Sequence, residues 1–188
     1  MVNYLAAMLV NMAAGLLLAA IFVVWGLGRP TTRHFAPALG MVGLVALALG
    51  LHMAVTWPLK GPATWANTAY GELSVLFGAV YLGAAWSLSV GRSIKWISLY
   101  AAFAGAASIA VGLTIWQQWL TLSPPVSTFG FVATGLGAIL LAVAVFGQKI
   151  RALRFVAAVV LFAAAGLWTF TGMLAFMGHI ERLAAAAG

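Results

Sequence analysis

Hydrophobic residues fill six long segments of the chain, and polar residues are confined largely to the short stretches between them. The segments are residues 4–27, 36–57, 71–90, 94–116, 126–147 and 153–178. A helix needs about 20 apolar residues to cross the hydrocarbon core of a bilayer. Pro37 and Pro58 bound the second segment, at positions where a helix begins or stops. The pattern predicts an all-α polytopic membrane bundle of six transmembrane helices, forming one domain over residues 1–188.

The composition supports a membrane location. Of the 188 residues, 65% are hydrophobic and only 6% are charged, whereas about a quarter are charged in a soluble domain. We therefore expect a multi-pass protein of the cell (inner or plasma) membrane, with the lipid bilayer as its first partner. The absence of cysteine excludes disulfides and thiolate metal sites.

The positive charges are distributed unequally between the two sides of the predicted bundle. The first, third and fifth connectors carry seven of them and no acid: Arg29, Arg33, Arg92, Lys95, Lys149, Arg151 and Arg154. On the other side, Lys60, Arg182, Glu72 and Glu181 cancel. Because cytoplasmic connectors are enriched in Lys and Arg, we expect both termini to be extracytoplasmic. Membrane orientation explains the net charge of +7 better than binding to nucleic acid does, and no nucleic-acid partner is expected.

Two further patterns concern the spans themselves. Four aromatic residues lie near predicted span ends: Trp65, Tyr70, Trp96 and Trp119. Such positions are typical of interfacial anchors. Small residues recur every fourth position in the fourth span: Ala104, Ser108 and Gly112. This spacing predicts a face of the fourth helix that packs closely against a neighbour.

The ionisable residues within or beside the spans gather at the predicted outer side. His52 lies near the outer end of the second helix, Glu72 at the start of the third and His179 at the end of the sixth. Polar groups in hydrocarbon cost several kcal/mol unless they have partners. Each also has an ordinary interpretation: His52 as a histidine hydrogen-bonded across helices, His179 among the headgroups, and Glu72 at the favourable end of a helix dipole.

These residues suggest a cofactor site. His52, His179 and Glu72 are sufficient ligands for one metal ion. Alternatively, His52 and His179 ligate the iron of a haem b from both faces, with Lys60 and Arg182 as cations for the propionates. Neighbouring side chains are candidates to orient the ligands: Met53, Trp57, Asn67, Glu181 and Asn11. The expected role is then redox chemistry or electron transfer.

Two other functions compete with the cofactor site. The first is a cofactor-free accessory or structural subunit, in a homo-oligomer or a larger membrane complex. The second is a transporter of protons or small solutes. The position of the polar residues argues against transport, because they lie near one face of the membrane rather than at its midplane. No hydrolase or transferase motif is present, and the sequence leaves open whether the protein is an enzyme.

One family resemblance is carried by the polar motifs. The pattern LHMAVTWPLKG, then NTAYGELSVLFG, then FTGMLAFMGHIE resembles a family of small multi-pass membrane proteins of bacteria and archaea, catalogued as a domain of unknown function. The resemblance covers nearly the whole chain. It implies a small helical membrane protein and no particular activity.

Overall fold

The structure is a bundle of helices. It is a computed structural model that describes residues 4–187, and the side chains of all of these except residues 30, 31, 186 and 187. The helices are α1 (Leu5–Ile21), α2 (Ala36–Thr56), α3 (Leu73–Ser89), α4 (Lys95–Gln118), α5 (Pro124–Phe146) and α6 (Arg151–Ala187). Six helical spans are long and apolar enough to cross a membrane, which confirms the predicted all-α, six-span fold. Helix α6 continues past residue 178, so His179 and Glu181 lie on the helix itself.

Consecutive helices pack against one another, and α6 packs back on α1. The connectors are short, so helices adjacent in sequence are adjacent in space. Contacts of α6 with α1 close the series around a common interior. We call the end with the α1–α2, α3–α4 and α5–α6 connectors the basic end, and the opposite end, where α1 begins and α6 finishes, the terminal end.

Prolines and left-handed residues set several helix boundaries. Pro37 and the Pro124–Pro125 pair lie in the first turns of α2 and α5, where the missing N–H of proline costs nothing. At the terminal end, α2 and α4 stop at Trp57 and Trp119, whose φ angles are 46° and 49°. A left-handed residue cannot continue a right-handed helix, so both tryptophans turn the chain into a connector.

Glycines bring neighbouring helices into backbone contact. A Cβ added at Gly43 would lie 2.7 Å from the Leu82 nitrogen, and one at Gly78 would lie 2.7 Å from the Leu47 nitrogen, so α2 and α3 leave no room for side chains there. Between α4 and α5, Ser108 Oγ donates to the Phe131 carbonyl at 2.8 Å. Ala104, Ser108 and Gly112 are all buried, which confirms the predicted close-packing face of α4.

Candidate functional site

A narrow cavity lies inside the bundle, between α1, α2, α3, α4 and α5. Its volume is about 30 Å³, room for about two water molecules. It extends from Met8 and Ala69, near the terminal end, to Val42 and Tyr81, just past the middle of the helices. Most of its walls are apolar, and six polar residues interrupt them: Asn11, Tyr70, Ser74, Tyr81, Ser108 and Thr134. No residue lining this central cavity carries a formal charge, within the part of the chain that the structure describes.

Some of these polar groups are already engaged by the protein. Asn11 Nδ2 donates to the Val42 carbonyl at 3.0 Å, and the Ser108 hydroxyl donates to Phe131. Thr134 Oγ1 accepts a hydrogen bond from Trp168 Nε1 at 2.8 Å. By contrast, the hydroxyls of Tyr70 and Tyr81 make no hydrogen bond to any atom of residues 4–187. Two phenol donors on the wall of an apolar cavity are therefore free to bind a guest.

Local structure places the two tyrosines. Residues Asn67–Glu72 form a π-helical turn that leads into α3, an irregularity that often marks functional positions. From this turn, the Tyr70 ring packs against Phe131 at 5.2 Å and Trp168 at 6.3 Å between ring centroids. Tyr70 therefore faces the interior, and the prediction that it anchors the membrane interface was wrong.

Tyr81 depends on a glycine of the facing helix. A Cβ added at Gly15 would lie 2.7 Å from the Tyr81 hydroxyl oxygen. Because Gly15 has no side chain, α1 leaves the space that the hydroxyl end of the Tyr81 ring occupies. About three helical turns, or roughly 16 Å along the axis, separate Tyr81 from Tyr70. The two hydroxyls therefore mark different depths of one elongated cavity.

Buried apolar side chains separate the central cavity from the basic end. Phe22, Val23, Leu88 and Val145 are all buried there, and Phe22, Leu88 and Val145 also line a separate cavity that opens at the basic end. The central cavity itself is blind at the basic end, because none of its lining residues lies there.

The predicted histidine ligands lie outside this cavity. His52 is exposed, and its ring meets the edge of Tyr4 at 5.3 Å between centroids. His179 is partly exposed on α6, and Glu72 is exposed without an N-cap hydrogen bond to α3. Within residues 4–187, no three His, Asp or Glu side chains lie together in a group that could hold a metal ion. The metal centre of His52, His179 and Glu72 therefore gains no support, and the haem b site of the two histidines stays a prediction.

The cations and supporting residues predicted for that site have other surroundings. Lys60, Arg182 and Glu181 are exposed. Met53 is 1% exposed and packs beneath Gly71, and Trp57 ends α2. Asn67 is fully buried and binds the connector backbone. Of this group, only Asn11 lines the central cavity.

Sequence reasoning missed the tyrosines, Ser74 and Thr134 as site residues. It searched for ionisable groups, whereas the interior carries neutral hydroxyls. One signal was available. Tyr81 lies in mid-span, away from the interfaces where tyrosine is usually found in membrane helices.

Together these features define an all-helical bundle with an uncharged internal cavity and six spans compatible with a multi-pass membrane protein. The chain belongs to the family described as "Protein of unknown function (DUF981)", whose model matches residues 1–182. This finding confirms the resemblance carried by the polar motifs. Comparison with curated proteins gave no match. Comparison with solved structures gave no match either.

Proposed function

We propose that the protein binds a small uncharged molecule in its central cavity, as a membrane binding protein or carrier. The observation that carries this proposal is the pair of free hydroxyls, Tyr70 and Tyr81, on the wall of a charge-free cavity inside the bundle. Apolar pockets with a few convergent polar groups are the usual form of small-molecule sites.

The chemistry of the walls selects the ligand. An ion in this cavity would lose its hydration without gaining an opposite charge, which is costly in a low-dielectric interior. A phenol hydroxyl donates to a carbonyl, ether or alcohol oxygen at little cost. The favoured guest is therefore narrow, uncharged and largely apolar, with a hydrogen-bond acceptor. Met8 and Met12 also line the cavity, and their flexible side chains let it widen around such a guest.

The blind basic end supports binding, or one state of a carrier, over an open channel. A conducting path would need polar or open space along its full length, and apolar side chains such as Phe22 and Leu88 close this one. The positive-inside rule places the basic end in the cytoplasm. The guest then enters from the extracytoplasmic side, toward which the cavity extends.

Fluorine NMR provides a direct test. The chain has four tyrosines, so protein labelled with 3-fluorotyrosine and held in nanodiscs gives four assignable resonances. Acetone and butan-1-ol serve as probes, each paired with a hydrocarbon of the same shape, isobutene and n-pentane. We expect at least one polar probe to shift the Tyr70 or Tyr81 resonance saturably. Replacing the responding tyrosine by phenylalanine removes only a hydroxyl and should weaken binding about fivefold, because one hydrogen bond contributes about 1 kcal/mol.

Tyr100 provides the matched control. It is 47% exposed on α4 and does not line the cavity, so Tyr100→Phe should leave the titration unchanged. Equal shifts with the hydrocarbon partners, or no saturable shift at Tyr70 or Tyr81 with either polar probe, would contradict a hydrogen-bonding site.

A further inference from the structure

A second cavity, of about 360 Å³, opens at the basic end between the segment that follows α1 and the first turns of α6. Its lining consists of Val24, Arg29, Arg151, Arg154 and Phe155. Three arginines thus converge on one space, Arg151 and Arg154 from α6 and Arg29 from the α1–α2 connector. We call this space the arginine cleft.

Arg154 is held rigidly in the cleft. A π-helical turn, Phe22–Gly26, follows α1, and Arg154 Nε donates to the Val23 carbonyl in this turn at 2.7 Å. Its Nη2 donates to the Val24 carbonyl at 2.5 Å. A guanidinium has five N–H donors, so Arg154 is fixed in position by two of them and retains others for a ligand.

No acidic side chain lines the cleft among the residues that the structure describes. The whole sequence contains two acidic residues. Glu72 ends the π-helical turn before α3, and Glu181 lies on α6, both toward the terminal end. A neighbouring cavity of about 170 Å³ shares Arg29 and adds Arg92 and Lys95, which increases the positive potential. Clustered cations repel one another, and an anion bound among them relieves that repulsion. Such an anion would come from outside the protein.

The surface beside the cleft is strongly apolar. Phe155, Val159 and Phe162 are 67%, 51% and 64% exposed along one face of α6, because residues spaced by three and four share a face. Trp25, 60% exposed, is next in sequence to the lining residue Val24, in the π-helical turn that follows α1. An anion attached to hydrocarbon chains matches both surfaces, whereas free inorganic phosphate matches only the arginines.

We propose that the arginine cleft binds the phosphate of an anionic phospholipid, with an acyl chain lying along Phe155, Val159 and Phe162. Arginine is suited to phosphate because its planar donors bind two oxygens at once. Basic pockets between membrane helices bind anionic headgroups in the same way. The proposal does not depend on any ligand of the central cavity.

Native mass spectrometry of the full chain in dodecyl maltoside tests the site. The protein is titrated with dioleoylphosphatidylglycerol or with dioleoylphosphatidylcholine. We expect one phosphatidylglycerol to bind saturably and with at least tenfold preference over phosphatidylcholine. Arg29→Gln and Arg151→Gln should each weaken binding about fivefold, the effect of one basic residue near an anionic headgroup. Arg154 is left intact because it also holds the end of α1.

Lys149→Gln is the matched control. It removes the same charge two residues before Arg151, but Lys149 does not line the cleft, so the affinity should stay within about twofold. Equal loss in Lys149→Gln and Arg151→Gln would show that surface charge alone attracts the lipid. Displacement of the bound lipid by millimolar inorganic phosphate would assign the cleft to a free anion, and equal binding of both lipids would also overturn the proposal.

Discussion

Asn67 is fully buried, and its side chain is satisfied by backbone rather than by a ligand. Its Oδ1 accepts from the Leu59 N–H at 3.1 Å, and its Nδ2 donates to the carbonyls of Leu59 and Thr64 at 2.8 and 2.9 Å. A single amide thus pins the connector from α2 to the π-helical turn that carries Tyr70. Asn67, a candidate ligand-orienting residue in the sequence, therefore stabilises the connector instead.

We expect Asn67→Ala to lower the free energy of unfolding by about 2–4 kcal/mol, because three buried hydrogen bonds are lost together. Unfolding of the purified protein in mixed micelles, followed by tryptophan fluorescence, measures the change. Thr114→Ala is the control, since the Thr114 hydroxyl bonds only to the carbonyl of Ala110 on its own exposed helix face and should cost under about 1 kcal/mol. Equal losses in the two variants would refute the role assigned to Asn67.

At the scale of elements, backbone contacts fix how α4 and α5 pair. A Cβ added at Gly105 would lie 2.6 Å from the Gly135 carbonyl oxygen, and one at Gly135 would press on the Gly105 oxygen. In lipid the hydrophobic effect does not drive helices together, so close packing of small residues provides the association. The helix pair that supplies Ser108 and Thr134 to the central cavity is therefore positioned by glycines.

Gly135→Ala should destabilise the protein by about 1–3 kcal/mol, the usual cost of overpacking. The lost free energy appears as a lower midpoint in thermal unfolding of the detergent-solubilised protein. Gly166→Ala is the opposite case, because a Cβ there meets nothing within 4 Å and alanine favours the helix. Its midpoint should stay the same or rise. A Gly135→Ala variant as stable as Gly166→Ala would contradict the packing argument.

At the scale of the whole molecule, the charge asymmetry predicts the orientation. All seven connector cations lie at the basic end, and the chain has no cysteine, so single cysteines can report on each side. Ser93, replaced in one variant, lies in the α3–α4 connector. Leu122, replaced in the other, is a fully exposed residue of the α4–α5 connector.

In intact cells, an impermeant maleimide should label Leu122→Cys and leave Ser93→Cys unmodified. Permeabilised cells should label both, which shows that each thiol is accessible. Labelling of Ser93→Cys alone in intact cells would reverse the orientation, and with it the side from which the central cavity fills.

Composition and hydrophobic periodicity determined the number of spans, their approximate boundaries and the packing face of α4. The number and boundaries of the spans depend on how apolar each segment is, and the packing face of α4 depends on the spacing of small residues along one helix. Both can be read from a single sequence. The interior site depends on residues of five different helices. Tyr81, for example, has room for its hydroxyl only because Gly15 of α1 lies opposite.

Only the tertiary structure decided which polar residues face inward. His52 and Glu72 were predicted as ligands because an ionisable group in a membrane is costly. Both are exposed, near the terminal end. Tyr70 and Thr134 carry neutral hydroxyls, whose burial costs less free energy than burial of a charge, so little in the sequence indicated that they line a site. Their directions follow from the π-helical turn at Asn67–Glu72 and from the rotation of each helix in the bundle. Pairwise packing of all six helices sets that rotation, and the pattern along one chain does not specify it.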